Sequence, residues 1–396
     1  MKRVVGTVVR GLRSPIIDQG DPLADIVVDT VINASEVEGY ALRDRDVVTV
    51  TESVVARAQG NYASIDDIAR DVKNKFGEQT IGLVFPILSR NRFSILLSGI
   101  AKGAKKIVLM LSYPSDEVGN HLVSLKKLDE LQVNPWQDVL TEEEFRSHFG
   151  ETRHVFTDVD YITYYRSLIE EQGAECEIIF ANNAQAILDY TDTVIACDIH
   201  SRERTVDLLK EGGVKSVCSL ADILNEPNSE HGYNETYGLL GSNKATDTSV
   251  KLFPRDCQAF VDKVQAQLKE RTGKTIEVMV YGDGAFKDPV GQIWELADPV
   301  VSPGYTDGLD GVPNEVKLKY LADNDFADKS GEELTEAISA YLQDKDTNGN
   351  EGASLGTTPR RITDLIGSLS DLTSGSGDKG TPIIYIQGYF DSYIAD

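Results

Sequence analysis

Residues 44–60 hold a β-branched run, Val47, Val48 and Val50, that gives way to Glu52 and Ser53, with Arg57 four positions after Ser53. On a helical turn Ser53 and Arg57 share a face. A hydroxyl, exposed backbone N–H groups and a guanidinium leaving a strand end suit an oxyanion such as phosphate. The plain alternative is a strand running into a solvated helix start. Two later stretches have the same character. Asp283 lies between Gly282 and Gly284 at the end of an apolar run, with Lys287 close behind; this suits a metal ligand with open access for phosphate, or equally a tight turn. Gly375, Ser376, Gly377, Asp378, Lys379 and Gly380 form a glycine-rich loop between a helical pattern and a strand-like one. Such a loop exposes N–H groups, to which Asp378 and Lys379 add a carboxylate and an ammonium. It is not a Walker A loop, which runs strand, loop, helix.

The elements that must position these groups follow from periodicity. Leu23, Ile26, Val27, Thr30 and Val31 make the buried stripe of a helix opened by Asp21 as cap and Pro22 in the first turn. Ser64 caps a second helix, with Asp67 three residues on, and Gly77 stops it. Ile81–Leu88 is strand-like, and Arg90 and Arg92 after it could clamp a carboxylate or lie on a surface loop. From residue 107 to 225, short apolar runs at 107–111, 177–180, 193–196 and 214–217 alternate with helical stretches, which implies a parallel α/β unit. No G-x-G-x-x-G follows any of these runs, so a dinucleotide site there lacks its usual fingerprint. Asp198, His200 and Glu203 stand at one strand end, where a solvated loop is the commoner explanation. A helix over 258–271 stopped by Gly273, a strand over 276–281, a helix over 332–343 and a last helix over 359–372 complete the pattern. Asp344, Asp346, Asn348 and Gly349 match the start of a calcium loop. Leu355 holds the place of its bidentate glutamate, so 346–356 reads as a flexible polar connection.

A chain of 396 residues, 41% of them hydrophobic, can bury a sizeable core and is long for a single one. Its net charge of -25 argues against nonspecific binding to nucleic acid or anionic membrane. An anionic substrate would therefore need a local basic pocket or a metal. Cys176, Cys197, Cys218 and Cys257 are far apart and fit reduced core thiols, hence a cytoplasmic protein. No stretch approaches transmembrane length, and the first residues lack a signal peptide's apolar run.

In this order the pieces resemble the coenzyme F420-0:gamma-glutamyl ligase family. The segment Val9-Arg-Gly-Leu-Arg-Ser-Pro-Ile-Ile17 with Gly20-Asp-Pro-Leu-Ala24 resembles the family's start, and 44–60 its signature strand, whose S-K-A-E-G ending reads Ala56-Arg57-Ala58-Gln59-Gly60 here. Residues from Asn234 to Leu240 resemble the loop after its first metal carboxylate, with His231 at that carboxylate's place beside Glu230; Asp116, near Asn120, is a competing placement. Asp283 matches a metal-binding Asp, Gly284 replaces a liganding Thr, and Lys287 falls near an Arg. The loop 375–382 resembles G-E-G-x-D-G-x-P with Ser376 in place of a metal-binding Glu.

The resemblance implies an α/β fold: a mixed α+β ligase-like core (1–106 and 226–396) carrying an inserted parallel α/β subdomain (107–225). It implies an enzyme that joins L-glutamate to a carboxylate acceptor at the expense of GTP or ATP with Mg or Mn, as a homodimer. Nucleotide contacts would come from Leu12, Pro15, Ile16, Glu52, Ser53, Arg57, Asn234 and 375–380, metal contacts from Asp283 with Glu230 or His231, and catalytic cations from Arg57 and Lys287. The alternatives are a nucleotide-cofactor enzyme whose site is in the α/β insertion, and a metal- or nucleotide-binding protein that has lost the chemistry.

Overall fold

A computed structural model of the chain describes residues 4–282, 301–348, 360–374 and 378–394. They fall into two compact units.

One unit comprises residues 4–58, 256–282 and the described residues from 301 onward. Its five-stranded sheet runs, edge to edge, Val8–Leu12, Ile383–Gln387, Val47–Thr51, Glu277–Gly282 and Val301–Tyr305. Val47–Thr51 is central, antiparallel to Ile383–Gln387 and parallel to Glu277–Gly282. It is apolar on both faces because both are covered. Val48 and Val50 meet Val27, Val28 and Val31 of helix Leu23–Glu38 and Val261, Val264 and Leu268 of helix Cys257–Thr272. Val47 belongs to the other face, packed with Ile362 and Ile366 of helix Ile362–Ser374. There the buried Thr49 hydroxyl donates to Ser370 Oγ at 2.8 Å.

Helix Leu23–Glu38 starts one turn-position later than its cap pattern suggests. Pro22 is the N-cap, and the Asp21 carboxylate instead accepts from Asp18 N–H at 2.7 Å, closing the preceding turn. Helix Gly331–Asn348 runs on through Asp344 into the stretch read as a flexible connection, anchored by Leu321, Ile338 and Leu342.

The other unit spans 59–255. Its six-stranded sheet has the order Leu140–Thr141, Glu175–Phe180, Lys106–Leu111, Thr80–Val84, Thr193–Ala196, Ser216–Ser219, all parallel except the first. Counting only the parallel strands in chain order, the sequence across the sheet is 3-2-1-4-5, with the reversal between Thr80–Val84 and Thr193–Ala196. The expected boundaries at 107 and 225 lie inside this unit. Thr80–Val84 occupies the middle of the sheet, and Tyr62–Ser64 pairs with Ser249–Lys251 in a small second sheet, so the compact region is wider than the apolar repeat alone. The Ser64 capping box with Asp67 opens helix Ile65–Phe76 as its sequence predicts. That helix lies so close to helix Phe93–Lys102 that a Cβ on Gly99 would sit 2.7 Å from Ile68 Cβ.

Candidate functional site

Strand direction in the first unit brings distant residues to one end of its sheet. Val47–Thr51 and Glu277–Gly282 run the same way, with Tyr281 beside Thr51, so both finish there. Ile383–Gln387 runs oppositely and starts there, with Ile383 beside Val50; Val8–Leu12 finishes there, with Leu12 beside Ile383. Main-chain bonds fasten the loops: Thr51 N–H donates to Pro382 O at 3.0 Å, and Ser14 N–H to Gly380 O at 3.2 Å. Gly11 suits this approach, because a Cβ there would lie a tight 3.0 Å from Thr381 Cβ. Leu12, Pro15, Glu52 and Gly380 are thus gathered at the carboxyl ends of two parallel strands, a position at which α/β sheets commonly hold ligands.

Glu52 begins helix Glu52–Gln59 and is only 5% exposed, its charge favoured by the helix N-terminus. Cys257 lies within its field; burial first, then Glu52, pushes that thiol up to about 12, so Cys257 is an inert packing group. Ser53 and Arg57 lie on the exposed side of the same helix. The Arg57 guanidinium turns to its own chain: Nε donates to Ile17 O, and Nη2 meets Asp18 Oδ1 at 2.9 Å. Arg57 therefore fixes the loop that carries Pro15 and Ile16, and the simple Ser53–Arg57 anion clamp read from spacing is not the arrangement seen. Ile16 itself is 85% exposed. Asp378, Lys379 and Gly380 are exposed, and Lys379 makes no ion pair or hydrogen bond among the described residues. Asp283, Lys287, Gly375, Ser376 and Gly377 lie outside the described residues.

The remaining expected residues belong to the second unit. The Asn234 amide is committed to its own loop, donating to Phe253 O and Pro254 O at 3.1 and 3.0 Å and accepting from Thr236 and Tyr237 N–H at 3.0 and 2.8 Å. Both its hydrogens and both its lone-pair positions are used, which leaves none for a nucleotide. Glu230 pairs with Arg70 at 3.3 Å on the surface, and His231 Nδ1 lies 2.7 Å from Gly232 O. Asp116 is buried and receives four hydrogen bonds, from Leu88, Val118 and Asn120 N–H and from Asn120 Nδ2. Burial holds its carboxyl above the usual range even so. No group of three His, Cys, Asp or Glu able to hold a metal ion is assembled among the described residues.

Two features escaped the sequence. Asn61, fully buried, ties Tyr233 and Phe253 together through both ends of its amide, and Arg255 reaches its Oδ1 at 2.5 Å while covering the Tyr233 ring. At the carboxyl ends of the parallel sheet, Glu117 accepts from Ile199 and His200 N–H. Nearby, Asp198 is 1% exposed, takes a 2.7 Å bond from Thr205 Oγ1 on one oxygen and has no hydrogen-bond partner on the other among the described residues. Burial, reinforced by Glu117, raises its carboxyl to about 7. Neither Asn61 nor Glu117 has a local signal, since their partners lie 172 and 82 residues away.

The model of the F420-0:gamma-glutamyl ligase family matches residues 11–388, from the glycine seated on Thr381 to the end of the last strand. The chain belongs to the F420-0:gamma-glutamyl ligase family. Comparison with curated proteins gives no match. For this F420-0:gamma-glutamyl ligase family member, gamma-glutamyl ligation is the family-level activity and glutamate the substrate it implies. No helix among the described residues is long and apolar enough to cross a membrane.

Proposed function

We propose that the protein is a ligase that uses GTP or ATP with Mg or Mn to join the amine of L-glutamate to a carboxylate acceptor through an acyl phosphate. The observation that carries this reading is the convergence of Leu12, Glu52 and Gly380 at one sheet end, although they are far apart in sequence. Amide formation from a carboxylate is uphill in water. An acceptor carboxylate oxygen attacks the γ-phosphorus, the bond to the nucleoside diphosphate breaks, glutamate's amine then displaces phosphate at the acyl carbon, and the amine gives up its proton. The chain's task is to hold anions together despite a net charge of -25. The backbone N–H of Gly380, the N-terminal turn of helix Glu52–Gln59 and the Lys379 ammonium would orient the triphosphate, and Arg57 keeps the 12–16 loop in place. A divalent ion, when bound, would neutralise phosphate charge. The described residues do not present an assembled site for it, and Asp283 is the remaining carboxylate of this unit from the expected set. The homodimer and the cytoplasmic location belong to the same reading.

The test is incubation of the purified protein with GTP or ATP, Mg or Mn, L-glutamate and a panel of carboxylate acceptors headed by coenzyme F420-0. Formation of a glutamylated product with stoichiometric phosphate supports the proposal; no nucleotide binding and no phosphate release under any combination sinks it. One observation favours a second reading, a nucleotide-cofactor site in the unit 59–255: its 3-2-1-4-5 strand order has a switch point beside the half-partnered Asp198. Nucleotide protection of 85–92 and 197–202 from hydrogen exchange, rather than of 12–16 and 378–382, would select it.

A further inference from the structure

The backbone that follows Lys379 is tied to three different elements of the first unit. Ser14 N–H, on the loop after strand Val8–Leu12, donates to Gly380 O at 3.2 Å, and Thr51 N–H, at the end of the central strand, donates to Pro382 O at 3.0 Å. Between these two the Thr381 hydroxyl donates to Ser374 O at 3.2 Å, on the last residue of helix Ile362–Ser374. The final carbonyls of a helix have no partner within it, so a hydroxyl from outside is well suited to take one. Other hydroxyls serve the same helix end from within: Ser374 Oγ donates to Asp371 O at 3.1 Å and Thr373 Oγ1 to Leu369 O at 2.6 Å. Thr381 is also seated sideways. A Cβ on Gly11 would meet its Cβ, Cγ2 and Oγ1 at 3.0, 3.2 and 3.3 Å, so the edge strand's backbone lies close against the whole side chain and restricts its rotamer. Gly380 has φ 67°, a left-handed turn that glycine makes without strain, immediately before this contact. The Lys379 side chain, in contrast, makes no ion pair or hydrogen bond among the described residues, so its aim is set by the backbone that carries it.

We propose that Thr381 is a positioning residue for the nucleotide: its hydroxyl ties the start of the last strand to the end of the preceding helix, and so fixes the backbone from which Lys379 and the Gly380 N–H reach the triphosphate. The inference rests on the ligase reading and gives a role to a residue that the family pattern leaves open. Thr381 falls on the second unspecified position of G-E-G-x-D-G-x-P. Its proton is engaged by Ser374 O, so it acts through its neighbours and not on the substrate. A cation and an N–H already in place lose less freedom when the ligand arrives, and the clasp therefore acts on nucleotide affinity.

Isothermal titration of the full chain with GTP and with ATP in the presence of Mg, in parallel with steady-state glutamylation of coenzyme F420-0, tests this. Thr381→Val removes the hydroxyl and keeps the branched shape against Gly11; Thr381→Ser keeps the hydroxyl and gives up a methyl. Both are compared with wild type at equal folded fraction. Thr381→Val is expected to raise the nucleotide Kd and KM about fivefold, the worth of roughly one hydrogen bond. The KM for L-glutamate should stay within twofold of wild type, and Thr381→Ser should keep nucleotide binding within twofold. Amide exchange at 378–380 should quicken in Thr381→Val and not in Thr381→Ser. An active Thr381→Val whose nucleotide affinity is within twofold of wild type overturns the clasp and leaves the ligase, even where exchange at 378–380 is faster. Equal losses in the two variants overturn it as well, because shape and not the hydroxyl would then decide. A rise in the L-glutamate KM to match that for nucleotide would show general loosening of the site and overturn the positioning role. A wild type that binds neither GTP nor ATP overturns both the clasp and the ligase reading.

Discussion

The two units each bring parallel strands to a common carboxyl end, yet they use that end in opposite ways. In the unit built on Val47–Thr51 the described part of that end offers exposed loop backbone and the ammonium of Lys379, which makes no ion pair or hydrogen bond among the described residues, beside one buried carboxylate, Glu52. In the unit 59–255 it is made of carboxylates, and most of their capacity is spent on neighbouring N–H groups: Asp116 takes four bonds and Glu117 takes the amides of Ile199 and His200. Burying a charged group is costly unless it is hydrogen-bonded, so saturated carboxylates there read as fasteners of loops. The lesson is that polar residue type at a strand end does not mark a site; uncommitted polar capacity does.

The exception in the second unit gives the sharpest way to break that contrast. Asp198 has a folded-state carboxyl near 7, above its unfolded value because burial disfavours its charge. A raised folded pKa means the native state binds the proton more tightly, so its contribution is fullest in acid and is lost as pH rises from about 4 through about 7. Urea unfolding of wild type is expected to show stability from this group falling over that window and flat above it. Asp198→Asn should remove the slope and gain on the order of 4 kcal/mol at pH 8; an unchanged pH profile would mean that Asp198 is not a strained acid. Next in size, Asn61→Ala takes the acceptor from the Tyr233 N–H and one of two donors from each of Tyr233 O and Phe253 O, and should cost about 2–3 kcal/mol in the same assay. Glutamylation measured on the fraction still folded should stay near wild type, since Asn61 is a fastener.

Lys379→Ala probes the open end. It should lower kcat/KM about tenfold or more, about 1.4 kcal/mol, with no measurable loss of stability, because the ammonium makes no ion pair or hydrogen bond among the described residues. Equal activity in Lys379→Ala would make the two sheet ends alike. The smallest effect is expected from Arg57→Lys, which keeps the charge but gives up the two-point grip on Ile17 and Asp18. A loss of under about 1 kcal/mol in stability is expected, with hydrogen exchange faster at 16–18.

Most of the secondary structure was legible where one local rule operated. The parallel strands Lys106–Leu111, Glu175–Phe180 and Thr193–Ala196 carry the apolar runs 107–111, 178–180 and 194–196, and the Ser64 box is a capping pattern of three residues' reach. Val301–Tyr305 was not legible, since Pro303 and Gly304 argue against a strand and are tolerated only because it lies at the sheet edge. Helix Phe93–Lys102 is buried all round, so it lacks the polar stripe that would have announced it. The gathering of Leu12, Glu52 and Gly380 depends on strand pairing across more than three hundred residues and was reachable from sequence only through family resemblance. What each polar group does once gathered was not reachable at all. Arg57 and Asn234 both looked like ligand contacts, and their bonds to Ile17, Asp18, Phe253 and Pro254 are set by the fold.

Val47–Thr51 also dictates when the enzyme can come into being. Its partner Ile383–Gln387 leaves the ribosome more than three hundred residues later, which at bacterial or eukaryotic elongation rates is roughly twenty seconds to a minute. Glu277–Gly282 can cover one edge of the strand about a hundred residues earlier, but its other edge must wait, while residues 59–255 can complete their own sheet in the meantime. A nascent chain stalled before residue 383 should therefore be protease-resistant across 59–255 and sensitive at 44–60, and chaperones that capture this chain during synthesis should be found on that waiting strand.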